Sequence, residues 1–209
     1  MIRSTTSTGS GQAPLGTGLV LASASAIRRD MLRAAGVWVE ARPTDVDESA
    51  YKTGNDPARV AAVLADAKAL AGARGQADRL VIGADSVVAA PDGTLLSKPR
   101  DRDEARAQLM AFRGRTHRIV SAAALARGRE VVWRGSEEAR LTVRLFSEAW
   151  LESYLEREWE HIRHTVGGYR MEALGAQLFS SVGGSHHAVL GLPLLPLLEA
   201  LRNEGALER

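Results

Sequence analysis

The segment formed by residues 19–36 (LVLASASAIRRDMLRAAG) constrains the structure of this chain more than any other stretch. It begins with apolar residues typical of a short strand, continues through small residues, and runs into a helix with one apolar face. The apolar positions of that helix are Ile27, Met31, Leu32 and Ala35. The pattern therefore predicts a strand, a tight loop and a helix in immediate succession.

Two arginines, Arg28 and Arg29, lie in the first turn of this predicted helix. The unpaired N–H groups of a helix N-terminus carry about half a positive charge, which disfavours each cation there by about 0.3–1 kcal/mol. The arginines are explained if this end of the helix binds an anion such as phosphate. They are equally explained as two solvated side chains on an exposed face, and this segment alone does not separate the two interpretations.

The composition excludes several classes of protein. With 209 residues, 45% of them hydrophobic, the chain can form one large domain or two small lobes around a real core. The net charge of +2 is dispersed, which argues against nucleic acid as a partner. There is no cysteine, and no apolar run approaches the roughly 18 residues of a membrane span. We interpret residues 1–18 as a flexible tail, without the apolar centre of a signal peptide, and expect a cytoplasmic protein.

A polar loop and an alanine-rich helix come next. The loop holds Asp45, Asp47 and Glu48 close together, and the helix is predicted from Pro57 to about residue 74. The predicted core face of the helix carries Val60, Val63, Leu64, Ala67 and Ala71. Lys68 lies at the margin of that face, where a lysine either extends to solvent or reaches into a cleft beside the core.

The apolar run of residues 80–84 is typical of a central strand buried on both faces, and it ends at Asp85. Residues 86–90 and 94–97 then predict a hairpin around the turn Pro91-Asp92-Gly93. This pairing places Asp85 nearly opposite Lys98. Such a pair is either part of a functional site or a structural ion pair, and the sequence supports both interpretations.

The rest of the chain alternates further elements without a linker that would split it. Asp101 and Glu104 form a capping box for a helix that ends near Gly114. The other predicted elements are strands 115–127, 130–145 and 177–182, and helices 147–160 and 193–204. Residues 19–209 are therefore expected to form a single domain.

Charged and polar residues collect at the predicted strand ends and helix starts. They are Ser23, Arg28, Arg29, Glu48, Lys68, Asp85, Lys98 and Glu172. Cations can neutralise a chain of phosphates, while the carboxylates of Glu48 and Asp85 can hold Mg²⁺ or Mn²⁺ through oxygen ligands. One carboxylate could also deprotonate an attacking water. No Walker A, G-x-G-x-x-G or H-E-x-x-H motif is present.

Several separated segments, in order, resemble the Maf proteins (septum formation inhibitor Maf), from Leu19 to about Arg202. The matching segments are LASASAIRR, DVDE, LADAKA, IGADSVV, LLSKP, FRGRTHRIVSA, GGYRMEALGA and GGSHHAVLGLPL. The resemblance implies a nucleoside triphosphate pyrophosphatase with an α/β fold, in which an elongated mixed β-sheet with flanking helices forms two lobes around a central cleft. This fold is similar to the inosine-triphosphate pyrophosphatase type, and family members are commonly homodimers.

The resemblance also implies roles for individual residues. Ser23 and Arg28 match the triphosphate-binding loop of the family. Glu48 and Asp85 match its acidic pair, with Asp85 in the position of the proton acceptor. The two family lysines that face the phosphates correspond to Lys68 and Lys98. The implied reaction is attack of water on the α-phosphorus, which releases a monophosphate and pyrophosphate with the help of a divalent metal.

Three positions resemble those that determine the base in this family: Ile27, Ser86 and Glu172. The branch acting on dTTP and UTP usually has Arg at the first and Gln at the last, whereas the 7-methyl-GTP branch usually has Trp and Glu. Glu172 therefore indicates 7-methyl-GTP, because a carboxylate accepts N–H groups of guanine. Ile27 fits neither branch. A purine or modified nucleotide is favoured, and dTTP or UTP stays open.

Two functions follow from the resemblance. The first is a house-cleaning enzyme that removes non-standard or modified nucleotides. The alternative is a protein that senses nucleotides in the same cleft and acts on septum formation through a partner. Asp85, Glu48 and both lysines favour the enzyme, because binding alone does not need a carboxylate that activates water.

Overall fold

The computed structural model of the chain describes residues 18–48, 51, 56–76 and 78–209. The predicted tail, apart from Gly18, lies outside the described residues. The elements of the described part are β1 (Leu19–Leu21), α1 (Ala26–Ala34), β2 (Glu40–Ala41), α2 (Pro57–Ala73), β3 (Leu80–Ala89), α3 (Arg102–Phe112), β4 (Thr116–Arg127), β5 (Glu130–Val143), α4 (Glu148–Ile162), a 3₁₀ helix (Leu174–Leu178), β6 (Phe179–Gly184), α5 (His186–Val189) and α6 (Leu194–Asn203). None of these helices combines the length and the apolar character needed to traverse a lipid bilayer.

The strands of the described residues form one mixed sheet in the order β2-β1-β3-β4-β5-β6. β1 runs parallel to both β2 and β3, whereas the pairs β3–β4, β4–β5 and β5–β6 are antiparallel. The predicted α/β fold with a mixed sheet and flanking helices is therefore confirmed. The division of residues 19–209 into two lobes stays a prediction.

Strand β3 lies inside the sheet with helices on both faces. Leu80 and Ile82 pack into a cluster with residues of α1 and α6, whereas Val81 and Val87 pack against α2 on the other face. The sequence predicted this burial correctly, but it ended the strand at Asp85. The strand continues to Ala89 along its pairing with β4, and the buried carboxylate in its middle is paired with a lysine from α2.

The first strand is much shorter than its neighbour, and this mismatch leaves an open edge. β1 pairs with β3 only along residues 80–82 of β3. Farther along, the same edge of β3 is met by a single bridge between Ala89 and Leu95, all that the structure forms of the predicted hairpin ladder. Between these two points no strand of the described residues covers the edge of β3, and a cavity lies beside it.

The other end of the sheet carries a separate hydrophobic cluster. Helices α3 and α4 pack there against β4 and β5 through Phe112, Leu141 and Tyr154. Ser147 caps α4 as predicted, since its hydroxyl accepts the N–H of Trp150. The last predicted strand, 177–182, is displaced: a 3₁₀ helix occupies residues 174–178 before β6 begins.

His117 on β4 is enclosed by aromatic rings within this cluster. Only 1% of it is exposed, its ring stacks on Phe112 at 4.1 Å between centroids, and its Nε2 shares a hydrogen bond of 2.8 Å with the hydroxyl of Tyr169. Burial lowers the pKa of His117 to about 4. The imidazole is therefore neutral in the folded protein at neutral pH.

This pKa predicts a loss of stability in mild acid. The unfolded chain binds a proton at His117 below about pH 6.5, whereas the folded chain does so only below about pH 4, so acid favours unfolding in this window. The contribution is fully present above pH 6.5 and about 3 kcal/mol of it is lost on going down to pH 4. Denaturant unfolding between pH 7.5 and 4 measures it as the difference between the wild type and His117→Phe. Parallel pH curves for the two proteins would contradict the prediction.

Candidate active site

A cavity of about 630 Å³ lies beside the open edge of β3. It is bounded by the loop from β1 to α1, by residues 85–88 of β3, by the C-terminal part of α4 and by the loop that follows α4. Nine of the ten residues predicted for the site line it: Ser23, Ile27, Arg28, Glu48, Lys68, Asp85, Ser86, Lys98 and Glu172. The fold therefore brings together side chains that are far apart in the sequence.

A lysine held between two carboxylates forms the charged centre of the cavity. Lys68 Nζ lies 2.6 Å from Asp85 Oδ1 and 2.8 Å from Glu48 Oε1. The side chains of Lys68 and Asp85 are only 12% and 9% exposed. Of the two interpretations of Lys68, the structure therefore favours the one in which it reaches into a cleft. We refer to Glu48, Lys68 and Asp85 as the carboxylate–lysine cluster.

The close approach of α2 to β3 at Gly83 explains how Lys68 reaches Asp85. A Cβ atom at Gly83 would lie 2.2 Å from the carbonyl oxygen of Ala65 and 2.3 Å from the amide nitrogen of Ala69. Both atoms belong to the backbone of α2, so only glycine permits this contact. The buried face of α2 includes Val60 and Leu64 as predicted, but it is completed by Ala61, Ala65 and Ala69, and Val63 is exposed.

Lys98 does not form the predicted pair with Asp85. The hairpin ladder stops close to the bridge at Leu95, before Pro99, which has no N–H to continue it. Lys98 is exposed at the rim of the cavity, and Lys68 supplies the ammonium group that contacts Asp85. The prediction of an ammonium facing this carboxylate was therefore correct, but the lysine was wrong.

Arg28 contacts the protein in several places at once. Its Nε donates to the carbonyl of Gly191 at 2.8 Å, and one terminal nitrogen donates to the carbonyl of Ala84 at 2.9 Å and the hydroxyl of Ser23 at 3.2 Å. The other terminal nitrogen donates to Ser86 at 3.0 Å. The pKa of Arg28 lies below its usual value, because the effect of burial is larger than the opposing effect of the charges of Asp85 and Glu48. Most of its N–H groups thus join the loop after β1, the middle of β3 and the loop at Gly191.

Ser86 is held in the same network. Its hydroxyl lies 2.8 Å from that of Ser121 on β4, and Ser121 donates to the carbonyl of Ala188 at 2.6 Å. Ser121, Ala188 and Gly191 were not among the predicted site residues. The quoted segments FRGRTHRIVSA and GGSHHAVLGLPL contain all three, but they gave no sign of which residues turn inward.

Arg29 is the predicted site residue that the fold does not bring to the cavity. It is exposed on α1 and its Nε lies 3.7 Å from Asp30 Oδ1. Neighbouring residues of a helix point about 100° apart, so only one of two adjacent arginines can face the cavity. For Arg29 the solvated interpretation is therefore the correct one, whereas Arg28 turns inward.

The residues present fit the predicted divalent cation. The described residues contain no group of three or more His, Asp or Glu side chains arranged to hold a metal ion. Glu48 and Asp85 nevertheless supply two hard carboxylate oxygen donors in one cluster. Mg²⁺ commonly binds through one or two carboxylates and completes its coordination with waters and substrate phosphates. Glu48 and Asp85 are thus the residues that would hold it.

Comparisons with known proteins agree with the resemblance of the sequence. The family model described as Maf-like protein matches residues 18–204. The chain belongs to the Maf-like protein family.

Relatives with similar sequences cover nearly the whole chain. A nucleoside triphosphate pyrophosphatase of Ruegeria sp. is 42% identical, over 93% of this chain and 100% of its own length. One of Gluconobacter oxydans is 46% identical over 89% of this chain and 94% of its own, and a 7-methyl-GTP pyrophosphatase of Rhizobium meliloti is 43% identical over 91% and 98%. A solved nucleoside-triphosphatase / dITP/XTP pyrophosphatase of Mycobacterium abscessus is 18% identical over 60% of this chain and 72% of that one, with a TM-score of 0.33, which carries no conclusion.

The contact at Gly83 yields a prediction about stability. We expect Gly83→Ala to lower the free energy of unfolding by about 1–3 kcal/mol, because its Cβ would press on backbone atoms of α2 that cannot rotate away. Gly183→Ala is the matched control, since its Cβ would meet no atom within 4 Å. Denaturant unfolding of both variants checks the prediction. A Gly83→Ala protein as stable as Gly183→Ala would show that the helix can move aside without loss.

Proposed function

We propose that this protein hydrolyses nucleoside triphosphates to nucleoside monophosphates and pyrophosphate. The observation that carries the proposal is the carboxylate–lysine cluster, with N–O distances of 2.6 and 2.8 Å, at the wall of a cavity of about 630 Å³. The names of relatives that are 42% and 46% identical support the same activity. A site that only binds nucleotide would not need a buried carboxylate beside the phosphates.

Asp85 is the proposed proton acceptor. Its Oδ1 accepts a hydrogen bond from Lys68, which fixes the orientation of the carboxylate. Among the described residues its Oδ2 has no hydrogen-bond partner, and this oxygen can accept a proton from a water molecule in the cavity. As the water oxygen bonds to the α-phosphorus, its proton passes to Asp85 and the bond to the bridging oxygen of the β-phosphate breaks.

Positive charge around the cavity stabilises the departing pyrophosphate. Lys98 at the rim is exposed and has no ion-pair partner within the part of the chain that the structure describes, so its ammonium can follow the β- and γ-phosphates. Residues of the first turn of α1 also line the cavity, where unpaired N–H groups of a helix N-terminus could bind phosphate oxygens, and Ser23 adds a hydroxyl. The helix N-terminus and Ser23 are held by the fold before the reaction, whereas Lys98 moves to the phosphates, and all of them act where negative charge accumulates in the transition state.

A divalent cation, Mg²⁺ or Mn²⁺, belongs to the proposal as well. Glu48 and Asp85 would hold it, and when bound it neutralises charge on the phosphate oxygens. Lys68 already contacts both carboxylates, so it keeps them together in the protein alone. The metal requirement can therefore be tested separately from the integrity of the site.

For the base we propose a purine or modified purine of the 7-methyl-GTP type. Glu172 is exposed at the cavity wall, where its carboxylate can accept N–H groups from the edge of guanine. The Rhizobium meliloti relative named 7-methyl-GTP pyrophosphatase, which is 43% identical, supports this choice. Ile27 also lines the cavity and offers only an apolar contact, which leaves dTTP and UTP as competitors. Removal of such nucleotides would make the protein a house-cleaning enzyme.

Several expectations stay predictions. They are the homodimer, the cytoplasmic location, and the alternative in which the protein senses nucleotides and acts on septum formation. A panel of 7-methyl-GTP, GTP, dTTP and UTP with Mg²⁺ or Mn²⁺ separates enzyme from sensor, because only the enzyme releases pyrophosphate. The ranking within the panel identifies the base.

The role of Asp85 predicts the behaviour of Asp85→Asn. We expect its kcat to fall by about 10²–10⁴-fold, because the amide cannot accept the proton.

Lys98→Ala should raise KM and lower kcat by about 10²-fold, because it removes a cation that faces the leaving group. Initial rates of pyrophosphate release over a range of substrate concentrations measure both kcat and KM. Asp66→Asn removes a carboxylate of α2 that is paired with Arg134 outside the cavity, and it should leave turnover unchanged. Full turnover by a folded Asp85→Asn protein would contradict the proposed proton acceptor.

The metal prediction has its own matched pair of variants. Chelation by EDTA should abolish pyrophosphate release, and added Mn²⁺ or Mg²⁺ should restore it. Glu48→Gln should weaken Mn²⁺ binding measured by calorimetry, whereas Asp45→Asn should not, because Asp45 lies in the same loop but does not line the cavity. Equal Mn²⁺ affinity in both variants would remove Glu48 from the metal site.

A further inference from the structure

The wall of the cavity that carries Glu172 is a loop without regular secondary structure between α4 and the 3₁₀ helix. We call residues 168–172 the wall segment. Gly168 has a φ angle of +71°, a left-handed conformation that frees the backbone from the preceding helix. Loops of this kind are usually among the more mobile parts of a protein. A residue that recognises a base from such a loop needs the loop to be held in place.

Three consecutive residues of the wall segment, 168–170, are each hydrogen-bonded by a side chain from α4 or β4. The hydroxyl of Tyr154 donates to the carbonyl of Gly168 at 3.1 Å. His117 Nε2 and the hydroxyl of Tyr169 lie 2.8 Å apart. Glu158 accepts hydrogen bonds from Arg170 at 2.8 and 3.3 Å.

The three supporting side chains are buried and lie outside the cavity. His117, Tyr154 and Glu158 are 1%, 2% and 8% exposed, and none of them is among the residues that line the cavity. Their bonds are therefore little exposed to competition from water, and they can influence a substrate only through the wall segment. Tyr169 and Arg170, in contrast, line the cavity themselves.

The ion pair of Glu158 and Arg170 fixes the position of the wall segment more than it stabilises the fold. A buried ion pair can often be replaced by apolar residues without loss of stability, whereas it fixes the geometry of both partners. Two nitrogens of the Arg170 guanidinium donate to the same oxygen of Glu158. Arg170 directly precedes Met171 and Glu172 in the chain. The backbone of Gly175 packs directly against the backbone of Arg170, since a Cβ at Gly175 would lie 2.5 Å from the carbonyl oxygen of Arg170.

We propose that His117 and Glu158 are positioning residues for base specificity, which act by holding the wall segment so that Glu172 meets the base in a fixed orientation. This inference rests on the proposed function. In the proposed function the phosphates are bound by the carboxylate–lysine cluster and Lys98, which belong to other elements of the fold. Loosening the wall segment should therefore change the discrimination between bases and the KM of the preferred nucleotide, and leave kcat at saturation nearly unchanged.

The test compares Tyr169→Phe and Glu158→Gln with the wild type on 7-methyl-GTP and UTP. We expect the ratio of the two kcat/KM values to move towards unity by about tenfold or more, through KM, with kcat within about threefold. His117→Phe combined with Tyr169→Phe should have no larger effect than either change alone, because both remove the same hydrogen bond. Thermal unfolding identifies any variant that does not fold, and Glu158→Gln, whose side chain keeps its size and lies outside the cavity, then decides alone.

Leu201→Ala is the matched control. Leu201 is fully buried in α6, in a different hydrophobic cluster, so the change lowers stability without touching the wall segment. It should keep the wild-type ratio. The inference is overturned if the folded Tyr169→Phe and Glu158→Gln variants keep the wild-type ratio of kcat/KM values. It is also overturned if these variants lose kcat equally on both nucleotides, or if the wild type hydrolyses both nucleotides without preference. Absence of pyrophosphate release by the wild type from either nucleotide is a different result, which refutes the proposed function itself.

Discussion

The site depends on the direct contact between the backbone of α2 and strand β3. Helices usually pack on sheets through side chains, which keeps the two backbones well apart. At Gly83 that layer is missing, and the helix backbone rests on the strand. Lys68, one turn beyond Ala65 on the same face of α2, is thereby lowered onto Asp85 at 2.6 Å. A glycine in the strand thus determines the reach of a lysine in the helix.

The cavity itself results from a difference in strand length. β1 is three residues long and β3 is ten, so the sheet has a notch where β1 stops. Backbone groups left at such an edge need partners. Arg28 supplies one by donating to the carbonyl of Ala84, and through Ser23 and Gly191 it ties the rims of the notch together. The arginine that suggested an anion site in the sequence therefore also builds the walls of that site.

The sequence predicted the structure correctly where neighbouring residues alone determine it. The apolar run before Asp85, the Ser147 cap and the strand–loop–helix start of the fold were all readable from neighbours in the chain. It was a poor guide where position depends on distant packing. Nothing local distinguishes Lys68 from Lys98 as the partner of Asp85, because the choice follows from the glycine contact and from the early end of the hairpin.

The cluster of Glu48, Lys68 and Asp85, together with Arg28, contains two positive and two negative groups and is electrically balanced before any ligand arrives. A polyanion approaching from solution therefore meets no strong attractive field from the interior, and the overall charge of +2 adds little at a distance. Encounter rates should consequently respond only weakly to ionic strength. Capture is left to short-range contacts, among them the exposed Lys98 at the rim, so the fit of the incoming molecule to the cavity matters as well as its charge.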